Sequence, residues 1–293
     1  MKTIVTHLNP DLDALCSVWL LKRFLPGWTD AEVKFIPAGI VKIDSLKTEE
    51  GDEVLVVDTG FGELDHHQSD ERTCGAKLVW KHIQKCTMPA RPAGGYNVQC
   101  TKTETRAIER LLDVVLRIDY DAQDITMPGA ADDFNIFLFN ERQILRGYRT
   151  IYRGQSEKHL ELGFTILDSV FEVLKAKIEA EDIIKKGLMF ETKWGKGIGA
   201  ETNNEMYMHL AQQLGFKVVV SKDPKRGHIR IHGLPRVGID FTKAKQELEQ
   251  RDPDATWYLH QSLSLLLNGS TANPDMKPTT LTLNEVVDVL RRK

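Results

Sequence analysis

His7, Asp11, Asp13, Asp58, His66 and His67 are imidazoles and carboxylates that stand where two apolar runs stop. Together they form a donor set for divalent cations, because hard and borderline metals accept both ligand types. Two such cations held close together can clamp phosphoryl oxygens and activate a water between them.

The elements that must position these groups are legible around them. Thr3 to Thr6 is a short β-branched run that suits a buried parallel strand, and His7 opens the loop leaving it. Pro10 blocks an immediate helix. Asp11 and Asp13 precede Ala14, Leu15, Val18, Trp19, Leu21, Phe24 and Leu25, whose spacing is mostly helical. They therefore sit at a helix N-terminus, where the dipole favours carboxylates; taken alone, they would more commonly be plain caps. Val54 to Val57 is an unbroken apolar run of the kind covered on both faces, and Asp58 is the first polar residue beyond it. Thr59-Gly60-Phe61-Gly62 turns the chain, Asp65-His66-His67 follow on an irregular segment, and Lys77 to Ile83 resumes a helical pattern. In open α/β sheets ligands bind outside the carboxyl ends of strands near a switch point, which is where these six side chains would converge.

The motifs resemble those of the DHH phosphoesterase superfamily, which includes family II inorganic pyrophosphatases, exopolyphosphatases, nano-RNases, cyclic-dinucleotide phosphodiesterases and single-strand exonucleases. His7, Asp11 and Asp13 match the first motif, a strand followed by His-x-x-x-Asp-x-Asp. Asp58 matches the strand-end Asp and Asp65-His66-His67 the Asp-His-His itself. A fourth Asp after a helix is matched by Asp119, behind Leu111 to Ile118, with Asp121 and Asp124 close by.

The resemblance implies an α/β protein with a parallel-sheet DHH domain over 1–130, a helical connector over 131–186 and a smaller α/β substrate-binding domain over 187–293. It implies that His7, Asp11 and Asp58 hold one metal, that Asp13, Asp58, His66 and Asp119 hold the other, and that Asp58 bridges them. Mn²⁺ is the expected ion, with Mg²⁺ or Co²⁺ as alternatives. His67 would face the substrate phosphate as a donor or proton carrier, and Asp65 would orient an imidazole. The implied reaction is hydrolysis of phosphodiester bonds by a metal-activated hydroxide, on short oligonucleotides or single-strand nucleic-acid ends. Pyrophosphate, polyphosphate or a cyclic dinucleotide is the alternative substrate. A metal-binding regulator without turnover is the reading from another class, and the complete donor set gives it no support.

Composition agrees with a two-domain enzyme: 293 residues, 41% hydrophobic and 28% charged, are enough for packed cores. A net charge of -3 excludes a global polycation, so attraction to polyanions must be local or carried by metal. Cys16, Cys74, Cys86 and Cys100 form no C-x-x-C pair and read as reduced thiols, and the Cys74–Cys86 spacing is irregular for a zinc site. No signal-peptide pattern and no apolar stretch of roughly 18 residues is present, so the expectation is a cytoplasmic protein without a membrane partner. A homodimer is left open.

Pro89 to Gly95 reads as a loop, Lys102 to Ile118 as a helix, and Met127-Pro128-Gly129 as a break. Phe134 to Tyr152 and His159 to Lys186 read as helices, the second with Leu162, Ile166, Val170, Val173 and Leu174 on its packed side; Phe134, Phe137, Phe139 and Tyr148 read as core. Beyond Gly187 come a strand at Leu188 to Thr192, a helix at Asn203 to Leu214, strands at Lys217 to Ser221 and Gly227 to His232, a helix at Thr242 to Gln250 and a strand at Ser264 to Leu267. This order resembles the DHH-associated domain, although its usual glycine-rich motif is absent. From Lys222 to Arg236 five basic residues face Asp223 alone, and His228, Arg230 and His232 share one face of a strand. If that face lines the cleft, Arg230 is the first candidate to bind phosphate, with His228, His232, His260, Asn268, Gly269 and Ser270 as further contacts. A solvated hairpin fits that stretch equally well.

Overall fold

The computed structural model describes residues 1–39, 51–87, 100–120, 141–269, 273 and 275–291. Asp121, Asp124, the Pro89 to Gly95 loop, the Met127 to Gly129 break, Phe134, Phe137, Phe139 and Ser270 lie outside them. The chain is α/β and divides into two compact units, Met1–Leu174 and Lys175–Lys293.

The first unit is built on three parallel strands, β1 (Lys2–His7), β2 (Glu32–Ile36) and β3 (Glu53–Val56), in the spatial order β2-β1-β3. β1 is central because its β-branched run is apolar on both faces: Thr3, Ile4, Val5 and Thr6 are all buried. The chain goes from β1 to a neighbour on one side and then crosses to the other, so the carboxyl end of β1 is a switch point. The second run was expected to be covered on both faces. Instead β3 is an edge strand among the described residues and only half-buried until Val56 and Val57.

Four helices complete the described part: α1 (Leu12–Phe24), α2 (Gly75–Thr87), α3 (Lys102–Asp119) and α4 (Glu141–Ile151). A longer helix, α5 (Ser156–Lys186), contains the point at which the chain divides. Asp11 caps α1, its Oδ1 accepting from the Asp13 and Ala14 amides, and α3 begins with a reciprocal Thr101–Glu104 capping box. Lys77 of α2 bridges Asp113 of α3 at 2.8 Å, and the Tyr120 hydroxyl donates to the Asp70 carbonyl, which ties the end of α3 to the segment following His67.

On α5 the buried stripe is not the one that spacing indicated. Leu167, Phe171 and Ile178 are buried, whereas Val173 is 52% exposed. Apolar residues occur around much of this helix, and tertiary contact selects among the stripes. Leu15 packs so closely on Gly163 that a Cβ there would meet its side chain at 2.8 Å. Trp19 donates to Asp168, and the Trp19 and Phe171 rings meet edge to face.

The second unit holds six strands in the order β4-β5-β6-β7-β9-β8: β4 (Leu188–Thr192), β5 (Gly195–Glu201), β6 (Val218–Lys222), β7 (Ile229–Gly233), β8 (Tyr258–Leu259) and β9 (Leu265–Leu267). β5 and β6 run parallel across α6 (Glu205–Gln213); the other neighbours are antiparallel. α7 (Thr242–Arg251) and α8 (Leu283–Arg291) pack with Val218, Val220, Ile229 and Ile231, while α6 packs with Ile198 and Val219 on the opposite face. Among the described residues no helix is long and apolar enough to cross a membrane.

Candidate metal centre

β1 ends at His7, and the loop behind it is anchored where the Asn9 amide donates to Ser156 at the start of α5. The next residues return into α1, which brings Asp11 and Asp13 under the strand end. After β3 the chain turns sharply: Asp58, Phe61 and the earlier Asn9 all have left-handed backbone, with φ of 52°, 55° and 53°. Such geometry costs non-glycine residues about 1 kcal/mol each and collects at functional sites. The turn is held by Asp58 N–H to the Leu64 carbonyl and Phe61 N–H to the Asp65 carboxylate.

Asp58 thereby lies at the middle of the cluster and is 2% exposed. Its carboxylate is 3.4 Å from His7 Nε2 on one side and 3.4 Å from His66 Nε2 on the other. His66 Nε2 is also 3.3 Å from Asp119 Oδ2 and 3.7 Å from Asp13 Oδ2, and His7 Nε2 is 3.9 Å from Asp11 Oδ1. The potential ligand atoms fall into overlapping groups within 4.8 Å of one another: His7 with Asp11 and Asp58, Asp13 with His66 and Asp119, and Asp58 with His66 and His67. Asp121 lies outside the described residues, so the structure speaks only for Asp119.

Asp58 Oδ1, His66 Nε2 and Asp119 Oδ2 are buried and have no hydrogen-bond partner among the described residues. Buried polar atoms are normally satisfied, and three that point at one another fit a divalent cation. The charge state says the same. Burial alone would lower His7, but Asp58, the Leu8 carbonyl and Asp11 outweigh it and raise the imidazole to about 9. His66 is raised to about 9 by Asp58 against its burial, with Asp119 and Asp13 adding to the rise. Asp119 is pushed up to about 6 by burial and by Asp11, and Asp13 well above its ordinary value by burial and Asp58. Asp58 is lowered, since His66 and His7 together overcome its burial. These shifts favour the protonated forms of His7, His66 and Asp13, as expected for imidazoles and carboxylates crowded together without a cation between them.

Asp13 is also a structural tie. Its two oxygens accept the Gly75 and Ala76 amides at 2.6 and 2.8 Å, at the first turn of α2. The spacing of motifs did not single out Gly75, yet a Cβ there would meet Asp13 Oδ2 at 3.0 Å and Asp58 Cβ at 3.1 Å. Gly75→Ala is therefore expected to displace both carboxylates and weaken Mn²⁺ binding by about tenfold or more, the scale for groups that orient ligands. Calorimetric titration with Mn²⁺ checks this, and wild-type affinity in the variant would remove the role assigned to the close approach.

Asp65 is buried, and its Oδ1 lies 2.7 Å from His67 Nδ1. A carboxylate only accepts, so Nδ1 carries the hydrogen and Nε2 is the free nitrogen of a ring that is 53% exposed.

In the second unit the alternation on β7 is present: Ile229 and Ile231 are buried, and His228, Arg230 and His232 occupy the other face, half-buried. A cavity of about 320 Å³ is lined by Lys225, Arg226, His228, Arg230 and Gly269, with Glu205 joining Asp223 as counter-charge. Lys222 instead donates to the Leu281 carbonyl. His232 is not in this lining, and burial beside Arg230 pushes its pKa down to about 4, which makes it a neutral imidazole. His260 is exposed, with Nδ1 taken by Ser262, and Ser270 is outside the described residues.

Asn268 is not available to a ligand. It is fully buried, donating to the Thr256 and Lys277 carbonyls at 2.7 and 2.9 Å and accepting from the Thr279 amide at 2.6 Å. Asn268→Ala would strand all three backbone groups and is expected to cost roughly 3 kcal/mol of stability. Urea unfolding measures this, and an unchanged midpoint would contradict the assignment.

The spacing reading also missed Arg146, Arg149 and Arg153, which line a cavity together with Asp11, Asp13 and Asp119. No motif announces them; they reach the cluster only through tertiary packing.

No family model and no curated protein matches the chain. Among solved structures, an uncharacterized protein from Helicobacter pylori is 13% identical, with 100% of this chain and 98% of that chain covered and a TM-score of 0.27. RecJ from Thermus thermophilus in complex with Mg²⁺ is 14% identical, with 99% of this chain and 49% of that chain covered and a TM-score of 0.30. The same protein in complex with Mn²⁺ is 14% identical, with coverages of 99% and 51% and a TM-score of 0.32. The chain spans about half the length of the RecJ chains it matches.

Proposed function

We propose that the protein is a metal-dependent phosphoesterase that hydrolyses phosphodiester bonds in short oligonucleotides or at single-strand nucleic-acid ends. The observation that carries this reading is the set of buried, unpartnered atoms Asp58 Oδ1, His66 Nε2 and Asp119 Oδ2, with His66 3.4 and 3.3 Å from the two carboxylates. The order of the His-x-x-x-Asp-x-Asp, strand-end Asp and Asp-His-His motifs supports it, as does their place beyond the carboxyl ends of the neighbouring strands β1 and β3. In this reading 1–130 carries catalysis, 131–186 connects, and 187–293 assists in binding substrate.

His7, Asp11 and Asp58 would hold one divalent cation, and Asp13, Asp58, His66 and Asp119 a second, with Mn²⁺ as the preferred ion. Bound there, such cations supply Lewis acidity that activates water and neutralises phosphoryl oxygens. The protein does the rest. Asp58 keeps the two halves of the donor set in register, and the α2 amides hold the Asp13 carboxylate in a single orientation. Asp65 holds the Nδ1 hydrogen of His67, which leaves Nε2 as the nitrogen that, in the protonated imidazolium, would pass a proton to the departing oxygen. Arg230 and His228 are proposed to hold the nucleic-acid backbone as an anion.

The test is turnover by purified protein with Mn²⁺ on a short RNA, a short DNA, a cyclic dinucleotide, pyrophosphate and a chromogenic phosphodiester. Release of mononucleotides is the expected result. Orthophosphate from pyrophosphate alone, or Mn²⁺ binding with no turnover of any substrate, would overturn the reading.

A further inference from the structure

Ser156 is 2% exposed, yet among the described residues its side chain does not cap the helix it opens. The amides of Lys158 and His159 both bond the Gln155 carbonyl, so Gln155 stands at the N-cap of α5 and Ser156 at the first helical position. A serine at a helix start ordinarily accepts from an amide of its own first turn. Ser156 Oγ instead accepts from the Asn9 amide, 3.1 Å away and 147 positions back in the chain.

That amide belongs to the same peptide unit as the Leu8 carbonyl. The carbonyl lies 2.9 Å from His7 Nδ1, and since a carbonyl only accepts, Nδ1 carries a hydrogen whether the ring is charged or neutral. Nε2 is left to face Asp58 Oδ2 at 3.4 Å. One peptide thus joins a buried serine to an imidazole of the cluster.

This peptide does not hold itself in place. Asn9 has φ of 53°, although left-handed backbone is costly for a residue with a side chain and a residue before proline favours φ near about −120°. Turning the Leu8–Asn9 peptide plane by about half a turn would bring Asn9 into the ordinary negative range, and would carry the carbonyl away from His7. Leu8 is pinned on its other side, where its amide donates to the Ile36 carbonyl at the end of β2. The flip is therefore opposed by two bonds, one to His7 near the surface and one to the buried Ser156.

We propose that Ser156 is a positioning residue for the metal centre: by holding the Asn9 amide it fixes the Leu8–Asn9 peptide, whose carbonyl keeps the His7 ring turned with Nε2 toward Asp58. The role of His7 as a ligand rests on the metal-dependent reading. The orientation of its ring does not.

Two readouts separate these. In EDTA, proton NMR of protein labelled with ¹⁵N-histidine follows the His7 Nδ1–H, assigned by its absence in His7→Gln. Wild type is expected to show this signal protected from exchange with water, and Ser156→Ala to lose it. In calorimetric titration with Mn²⁺, Ser156→Ala should weaken one of the two proposed sites by about tenfold, the low end of the scale for groups behind a ligand, and leave the other near wild-type affinity. Ser156→Thr keeps the oxygen and should restore both readouts. Thermal melting shows that each variant is folded; a serine with a merely structural role would lower the melting temperature and move neither readout. Exchange of the Asn9 amide in metal-free wild type needs no variant, and should be slowed at least about tenfold against an open peptide. An unprotected Asn9 amide, or a His7 signal that persists in folded Ser156→Ala, overturns the proposal. Loss of that signal in Ser156→Ala while wild type takes up no Mn²⁺ would refute the metal-dependent reading and leave the positioning of His7 standing. Mn²⁺ binding that Ser156→Ala leaves unchanged at both sites would do the reverse.

Discussion

Asp58→Asn is expected to abolish hydrolysis in a protein that still folds. The side chain is nearly isosteric, so packing around its buried position changes little. The carboxylate charge is what is lost. Among the described residues Asp58 alone lies close to both imidazoles, 3.4 Å each way, and both sides of the proposed cation pair need it. Groups that merely orient a ligand cost up to about 100-fold in metal affinity when removed, so a shared direct ligand should cost more than that. Turnover should fall by about a thousandfold or further, since neither half-site is complete without it. Circular dichroism and Mn²⁺ titration accompany the assay. A folded Asp58→Asn protein that still cleaves phosphodiesters would remove the central claim.

The second large effect is a pH dependence of stability that a bound cation should cancel. His7 and His66 are raised from 6.5 to about 9 in the metal-free protein. A group whose folded pKa is raised stabilises the fold fully below its unfolded value and loses that contribution as pH rises through the folded one. The window is therefore pH 6.5 to about 9, and His7 alone would contribute about 3 kcal/mol across it. Asp119, raised to about 6, acts in the same sense at lower pH. Metal-free protein should thus melt at progressively lower temperature from pH 6.5 to about 9. With saturating Mn²⁺ that decline should vanish above pH 6.5, because the imidazoles would be deprotonated ligands in the folded protein and are already deprotonated in the unfolded one, so neither state releases protons there. Differential scanning calorimetry in EDTA and in Mn²⁺ reads both slopes; parallel slopes would mean that the cation does not replace these protons.

Much of the candidate site is legible because its residues interrupt apolar runs. His7 and Asp58 are conspicuous against Ile4, Val5, Val56 and Val57, and Asp11 is a helix cap by position as well as by type. Glycines hide what they support. β5 escapes a search for β-branched runs because Gly195, Gly197 and Gly199 break its pattern. The structure needs those gaps, since a Cβ on Gly197 would meet the Phe190 ring at 2.5 Å. β2 escapes because Glu32 and Lys34 make it look like a surface segment. Gly75 and the arginines of α4 have meaning only in three dimensions, because long stretches of chain separate them from Asp11 and Asp13. Asn268 shows the converse, since its type and loop position suit a ligand contact while its amide is consumed by backbone.

Among the described residues of the first unit, Asn9, Asp58 and Phe61 are the non-glycine residues with left-handed backbone, and all three lie in the loops around the cluster. Random mutation followed by selection for thermal robustness alone would therefore find some of its easiest gains there, by letting glycine relieve the backbone. At Asp58 that gain would remove a proposed ligand outright, and at Asn9 or Phe61 it would slacken the turns around His7 and Asp65. If the proposed site holds metal, heat tolerance and metal capture compete for the same few peptide bonds, so a hardier lineage of this protein would keep that site only by adding its stability elsewhere.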